Sequence, residues 1–419
     1  MRLLITGACG FVGSELALAL QESLSGAQIT GLDNLSRRGS WRNLERLEQR
    51  GIKVLHGDIR QAADLEGLEP QDWLIDAAAN PSVLAGVDGK ASSRQLVEHN
   101  LLGTVQMLEA CKRWGAGFVL LSTSRVYSIP PLAGLAVEAR DGAFAPTAEA
   151  LAATAGLSAA GISEAFSTAA PVSLYGATKL ASEALALEYG EAFGFPVWIN
   201  RCGVLAGAGQ FGKADQGIFA FWLHSWREGH PLKYIGFDGQ GHQVRDCLHP
   251  RDLARLVALQ LQAGDAADKP RLANVSGGAA SATSLQQLSQ WCAERWGARS
   301  VAHQPEPRPY DLPWVVLDSQ HCSTTWNWQS QIGTAAILEE IATFADANPN
   351  WITLSACPPP NPHLSRPAST TPPAHWPSRG CCGVRCGKTS GPAANWPGAW
   401  RCAISAPNTA RACWGSSGP

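Results

Sequence analysis

The segment that most restricts the fold lies at the start of the chain. A short apolar run, Arg2–Thr6, meets the glycine turn Gly7-Ala8-Cys9-Gly10-Phe11-Val12-Gly13, and Leu16, Leu20 and Leu24 follow at helical spacing. Strand, glycine turn and helix in that order make a nucleotide-binding α/β unit. Each glycine has its own task. Gly7 permits the tight turn, Gly10 lets a pyrophosphate approach the backbone, and Gly13 lets helix and strand pack closely. Free N–H groups at the helix start then receive phosphate. The spacing is GxxGxxG rather than GxGxxG, and alone it would also suit a plain tight turn.

The surroundings argue for the nucleotide. A second apolar stretch, 28–32, ends in Asp33, which lies 20 residues after Gly13. A carboxylate there accepts hydrogen bonds from the adenosine ribose and repels a 2′-phosphate, which favours NAD over NADP. Arg37 and Arg38 count against this if they hold a phosphate, and not at all if they are solvated loop residues. Strand-like segments at 52–56, 73–77 and 118–121 follow, with Val97, Leu101, Val105 and Leu108 at helical spacing between them. Strands alternating with helices imply parallel crossovers, so the expected class is α/β with a doubly wound parallel (Rossmann) sheet. Ligands bind at the carboxyl ends of such strands. Gly7, Asp33, Asp58, Ala79 and Thr123 all fall there, and one cleft could collect them.

Composition narrows the class further. The 419 residues are 45% hydrophobic and 16% charged with a net charge of −2, which gives no global basic field for nucleic acid or an anionic membrane. No apolar run reaches the roughly 18 residues of a membrane-spanning helix. The first glycine turn comes too early for a signal peptide, so a soluble, cytoplasmic protein is expected. Residues 357–419 break the pattern: they hold 6 of the 12 cysteines, 12 of the 27 prolines and six basic residues, with no Asp or Glu. That tail reads as low-complexity and disordered, or as out-of-frame translation. Cys381, Cys382 and Cys386 do not have zinc-site spacing, and no metal is expected. The other cysteines, at 9, 111, 202, 247, 292 and 322, read as scattered, mostly buried thiols.

Chemistry enters at Tyr175-Gly176-Ala177-Thr178-Lys179, which opens a helical stretch. Spacing i, i+4 puts Tyr175 and Lys179 on one helical face. A phenol of pKa about 10 is a poor base at neutral pH, but a nearby ammonium favours the phenolate. Tyr175 is then the candidate base for a hydroxyl proton, Lys179 a holder of the nicotinamide ribose, and Thr123 a hydrogen-bond partner of the same substrate oxygen. Taken alone, YxxxK is as common as any helix-surface pair.

Together, Gly7–Gly13, Asp33, Gly57-Asp58-Ile59, Ser122-Thr123 and Tyr175…Lys179 resemble the extended short-chain dehydrogenase/reductase family, the nucleotide-sugar epimerases and dehydratases. The resemblance covers about residues 1–350. Residues 33–39, 215–217, 243–249 and the long segment 128–173 resemble the CDP-paratose 2-epimerase branch of that family. The resemblance implies that Gly7, Gly10, Phe11, Val12 and Gly13 contact the pyrophosphate of NAD and that Asp33 and Asn34 meet the ribose. It places Asp58 and Ile59 by adenine and adds Ala77, Ala79, Asn100, Tyr175 and Lys179 to the cofactor side. Ser82, Thr123, Arg245 and Arg308 would face the nucleotide-sugar substrate, since a guanidinium fork suits diphosphate oxygens. Arg245 could equally pair with Asp246, and Asn100 could be an N-cap or helix-surface residue. The implied arrangement is a cofactor domain of residues 1–203 with a return segment at 250–276. A smaller substrate domain of 204–249 and 277–350 completes it. Family members often pair helices, so a homodimer is open.

Three reactions compete. Dehydratases of this family place Asp-Glu directly after the catalytic Thr, where this chain has Ser124 and Arg125, so elimination of water loses its acid and base. An epimerase needs Thr123, Tyr175, Lys179 and a retained NAD, and inversion at C2 of a CDP-hexose is the leading expectation. A UDP-sugar 4-epimerase, or another nucleotide-sugar oxidoreductase, would use the same residues. A non-catalytic NAD-binding sensor is the remaining alternative. Val204 stands where the family offers a polar sugar contact, and no short motif reads cytosine against uracil.

Overall fold

In the computed structural model, the described residues are 1–87, 92–213, 216–306 and 308–354. The expectations for Asp215, for Pro307 and for the tail at 357–419, including its cysteines, lie outside them. The centre is a seven-stranded parallel sheet. Its strands are β1 (Arg2–Thr6), β2 (Gln28–Asp33), β3 (Lys53–His56), β4 (Trp73–Asp76), β5 (Gly117–Thr123), β6 (Val197–Cys202) and β7 (Leu272–Val275). Their order across the sheet is β7-β6-β5-β4-β1-β2-β3, and each neighbouring pair is parallel.

Period two along the strands explains why helices cover both faces. Leu3, Ile5, Val119 and Leu121 point to one side, where they meet Leu16 and Leu20 of the helix Phe11–Ser23 (α1) and Leu253, Val257 and Leu261 of the helix Pro250–Ala263. Leu4, Phe118 and Leu120 point to the other, against Met107 and Leu108 of the helix Gly103–Trp114 and Ala186 of the helix Ser173–Phe193. The α/β, doubly wound class read from the sequence is what the chain adopts.

A second sheet is built on the strand Val244–Leu248, which pairs with Val204–Leu205, Ala282–Ser284 and Trp314–Val315. Beside it the helices Ile218–Glu228, Leu285–Trp296 and Thr334–Ala347 share a core of Phe219, Trp222, Leu288, Ile337 and Ile341. The segment between Thr123 and Tyr175 forms a small hairpin, Val137–Arg140 with Ala143–Pro146, and packs Leu132, Leu157 and Phe166 against Trp314 and Val316. Seven of the eleven tryptophans before residue 350 are buried, as packing residues should be. All six described cysteines are buried and none is in a disulfide. Among the described residues no helix is long and apolar enough to cross a membrane.

Phe118 is fully buried at the middle of the sheet. Phe118→Ala should cost about 3–5 kcal/mol of stability, measured by urea unfolding; a loss below about 1 kcal/mol would contradict its place in the core.

Candidate active site

The glycine turn shapes the floor of a cleft of about 800 Å³ at the carboxyl ends of the strands. Gly7 sits at φ +62, and a Cβ there would come within 2.8 Å of Ala78 Cα; a Cβ on Gly13 would overlap the Gly7 carbonyl oxygen. A side chain at Gly7 would push the turn off the segment after β4, and one at Gly13 would push α1 off the turn. No side chain caps α1 at Gly10, and its first turn holds no acidic residue. The unpaired first-turn N–H groups of Phe11, Val12 and Gly13 therefore belong to a wall of the cleft, ready for an anion. A dinucleotide fits this cradle.

Asp33 lies at the end of β2, its Oδ2 accepting from Cys9 N at 2.9 Å and its Oδ1 from Leu35 N at 2.7 Å. Burial pushes its carboxyl above the usual range, and these two N–H donors act the other way. Arg37 is neither a solvated residue nor committed to a phosphate. It donates from Nη1 to Gln216 Oε1 at 2.9 Å and from Nη2 to the Phe211 carbonyl, joining two walls of the cleft. Trp351 braces the same place, stacking on Phe211 and donating from Nε1 to Gln210 O at 3.0 Å.

Gly7, Gly10, Phe11, Val12, Gly13, Asp33, Asn34, Ile59, Ala77, Ala79, Thr123, Tyr175, Lys179, Arg245 and Arg308 all line this one cleft. Asp58, Ser82 and Asn100 are not among its lining residues. Asp58 is paired with Arg60 at 2.6 Å and accepts from Asn34 Nδ2 at 3.2 Å, and the Arg60 hydrogen bonds hold its carboxyl well below the usual range. The Ser82 hydroxyl oxygen caps the loop beside the cleft, accepting from Leu84 N at 3.3 Å. Asn100, 1% exposed, is neither an N-cap nor a helix-surface residue. It sits in a π-helical turn, Glu98–Leu102, where it receives Asn80 N at 2.8 Å and donates to Thr178 Oγ1 at 3.3 Å. It thereby ties the loop after β4 to the helix that carries Tyr175.

That helix puts Tyr175 and Lys179 on its buried face. Burial pushes the Tyr175 phenol up to about 12, while a hydrogen bond with the Thr123 side chain and the positive charge of Arg125 act in the opposite direction. Asp76 lies fully buried at the end of β4, accepting from Thr6 Oγ1 at 3.1 Å and Thr104 Oγ1 at 3.0 Å. Burial raises its carboxyl, and the positive charge of Lys179 is the largest influence the other way.

Two residues that sequence reasoning missed fix the helix in place. Glu183 makes a buried ion pair with Arg201 at 2.7 Å and also accepts from the Ser122 hydroxyl. Ser122 and Arg201 are register partners on β5 and β6. Glu183 lies four residues beyond Lys179 and eight beyond Tyr175, so helical spacing was the available signal. At the far side of the cleft, Arg245 pairs with Asp311 at 3.3 Å and donates to Val244 O and Leu312 O. Its direct partner is Asp311 rather than Asp246, which accepts from Leu317 N and the Ser276 hydroxyl. Arg308 stands 3.8 Å from the other oxygen of Asp311.

Breaking a buried pair leaves an uncompensated charge. Glu183→Ala should therefore cost about 3–5 kcal/mol in chemical denaturation; an unchanged midpoint would remove the pair from the framework of the site.

Comparison with known proteins agrees with this geometry. Residues 3–276 match the family described as "NAD dependent epimerase/dehydratase family". A dTDP-glucose 4,6-dehydratase of Streptomyces niveus is 27% identical over 85% of this chain and 96% of its own. A CDP-paratose 2-epimerase of Salmonella typhi is 29% identical over 61% of this chain and 73% of its own. Among solved structures, a UDP-glucose 4-epimerase of Thermus thermophilus in complex with NAD superposes with a TM-score of 0.63 and 25% identity, covering 83% of this chain and 99% of that one. The chain belongs to the NAD-dependent epimerase/dehydratase family, and NAD is its cofactor.

Proposed function

We propose that the protein is a nucleotide-sugar epimerase that inverts a sugar carbinol by transient oxidation and re-reduction. The observation that carries this reading is the shortage of carboxyl groups in the cleft. Among the described lining residues the only acids are Asp33 and Asp311. Asp33 is held by two backbone N–H groups beside the glycine turn, and Asp311 is held by Arg245. The turn after Thr123, where a dehydratase would carry its acid pair, presents Ser124 and Arg125. No acid among the described lining residues stands beside Tyr175 to protonate a leaving hydroxyl, which weighs against the activity named for the dehydratase relative.

Epimerisation asks less of the residues. NAD, when bound, takes a hydride from the carbinol carbon and returns it. Tyr175 removes and later restores the hydroxyl proton, Thr123 holds the same oxygen, and Lys179 supplies positive charge and holds the nicotinamide ribose. Arg245 and Arg308 take the diphosphate as guanidinium forks. The residues named at the outset for the cofactor, including Asn34, Asp58, Ala77 and Asn100, keep those roles in this proposal, Asp58 and Asn100 from behind the lining. Ser82 stays on the substrate side. The cofactor half is 1–203 with 250–276, and 204–249 with 277–350 form the substrate half. Val97, Leu102, Leu174, Leu187 and Phe193 are exposed on the helices over one face of the sheet and support a homodimer.

CDP-hexose inversion at C2, with CDP-paratose as the substrate, is favoured by the resemblance at 33–39, 215–217 and 243–249 and by the Salmonella relative. The 4-epimerase likeness supports inversion of a UDP-sugar at C4 as the second reading. Incubating the protein with CDP- and UDP-hexoses in deuterated water, with products resolved by NMR, separates the two. The favoured outcome is inversion at C2 without solvent deuterium at that carbon; inversion at C4 alone, or deuterium at the inverted carbon, defeats it. Tyr175→Phe should lose at least about 100-fold in turnover while still binding NAD in calorimetry. Asp33→Ala should narrow the preference for NAD over NADP, and equal affinity of the unmodified protein for both would show that Asp33 does not select.

A further inference from the structure

Arg125 has no part in the account so far beyond replacing an acid. Its backbone is knit into the reacting end of the cleft. Thr123 caps the turn Ser124–Val126 by accepting from Arg125 N at 3.2 Å, and the same Thr123 side chain bonds to Tyr175. Gly176, next to Tyr175, lies so close that a Cβ on it would overlap the Arg125 carbonyl oxygen. The Arg125 side chain lines the cleft and reaches Tyr310 O at 3.4 Å from Nη1.

The charges around it are unevenly matched. Three guanidinium groups, Arg125, Arg245 and Arg308, gather near one carboxylate, Asp311, whose ion pairs go to Arg245 at 3.3 Å and Arg308 at 3.8 Å. Among the described residues no carboxylate lies within ion-pair distance of Arg125. Burial and the neighbouring Arg245 push its guanidinium down to about 10, so holding the charge there costs the fold something. Lys179, the other cation of the site, shares its field with the fully buried Asp76. The positive charge of Arg125 also acts on the Tyr175 phenol, favouring its ionised form.

We propose that Arg125, on the turn that Thr123 caps and in the same cleft as Tyr175, is a positioning residue for proton transfer, its guanidinium adding fixed positive charge to that of Lys179 against the negative charge Tyr175 carries as base. This rests on the assignment of Tyr175 as base, and it holds for inversion at C2 or at C4. In the oxidation half the sugar O–H bond breaks as the Tyr175 O–H bond forms; in the re-reduction half the same proton returns to the sugar oxygen. The phenolate is thus discharged and restored once per cycle. Where a dehydratase would carry its acid pair, Ser124 and Arg125 leave no group for elimination, and Arg125 adds charge for reversible proton transfer.

The test begins without substrate. Tyrosinate formation is followed by ultraviolet difference titration of the NAD-bound protein, with Tyr175→Phe as the reference that isolates Tyr175. Arg125→Gln should move the Tyr175 titration upward by about one pH unit or more, and Arg125→Lys should return most of it. Turnover near neutral pH should fall about 10-fold in Arg125→Gln, mainly in kcat, and recover as pH rises. An unmoved titration in a folded, NAD-binding Arg125→Gln protein overturns the proposal. So does a raised KM with equally weakened inhibition by CDP and UDP, which would make Arg125 a third diphosphate anchor. If Arg125→Gln does not fold, the Arg125→Lys titration and pH profile decide: wild-type behaviour supports fixed charge, and a loss like that of a neutral residue refutes it. Failure to epimerise any sugar with the titration shift intact would count against the reaction assignment and leave this one standing.

Discussion

The buried pair of Glu183 and Arg201 holds the candidate site of this protein in one frame. Arg201 belongs to β6 and its register partner Ser122 to β5, and both reach the same carboxylate on the helix that carries Tyr175 and Lys179. The helix is thereby locked to the strand end that presents Thr123. Without that lock, packing alone would fix the separation of helix and sheet but leave sliding along the helix axis free, since apolar contacts are not directional. Asn100 adds a second tie, from the loop after β4 to Thr178. Two polar fasteners, one on either side of Lys179, set the register of the face that carries Tyr175 and Lys179.

The same frame serves more than one reaction in the family, and the difference is confined to a few positions. The glycine cradle, the carboxylate after β2 and the Tyr–Lys helix are common requirements of a bound dinucleotide and a removable hydroxyl proton. The turn after β5, three residues long, follows directly on Thr123 and lines the same cleft as the phenol.

Much of this was legible in the chain. The first strand, glycine turn and helix, Asp33, and the pairing of Tyr175 with Lys179 are local patterns, each set by contacts within one element or its immediate neighbours. The fifth strand was read with Ser122-Thr123 at its end, and only Gly117, extended by its neighbours rather than by its own propensity, was left off its start. Glu183, Asp76 and the Arg37 tie escaped because they join residues 18 to 179 positions apart through polar groups, for which hydrophobic periodicity carries no signal. The segment at 128–173 escaped for another reason. Its short elements have little periodicity and find their core in Trp314 and Val316, far along the chain.

Trp351 gives the folded unit its own definition of where it ends. Its ring is stacked on Phe211 and lies under Arg42, and its N–H holds the Gln210 carbonyl, next to the residue whose carbonyl Arg37 grips. The last described helix therefore reports directly to the loop that follows β2. A boundary drawn by the limits of the central sheet, at residue 275, or by the last long helix, at 347, would cut this relay and leave the Phe211 wall of the cleft unbraced. Among the described residues, a single indole thus ties the last helix to the cleft.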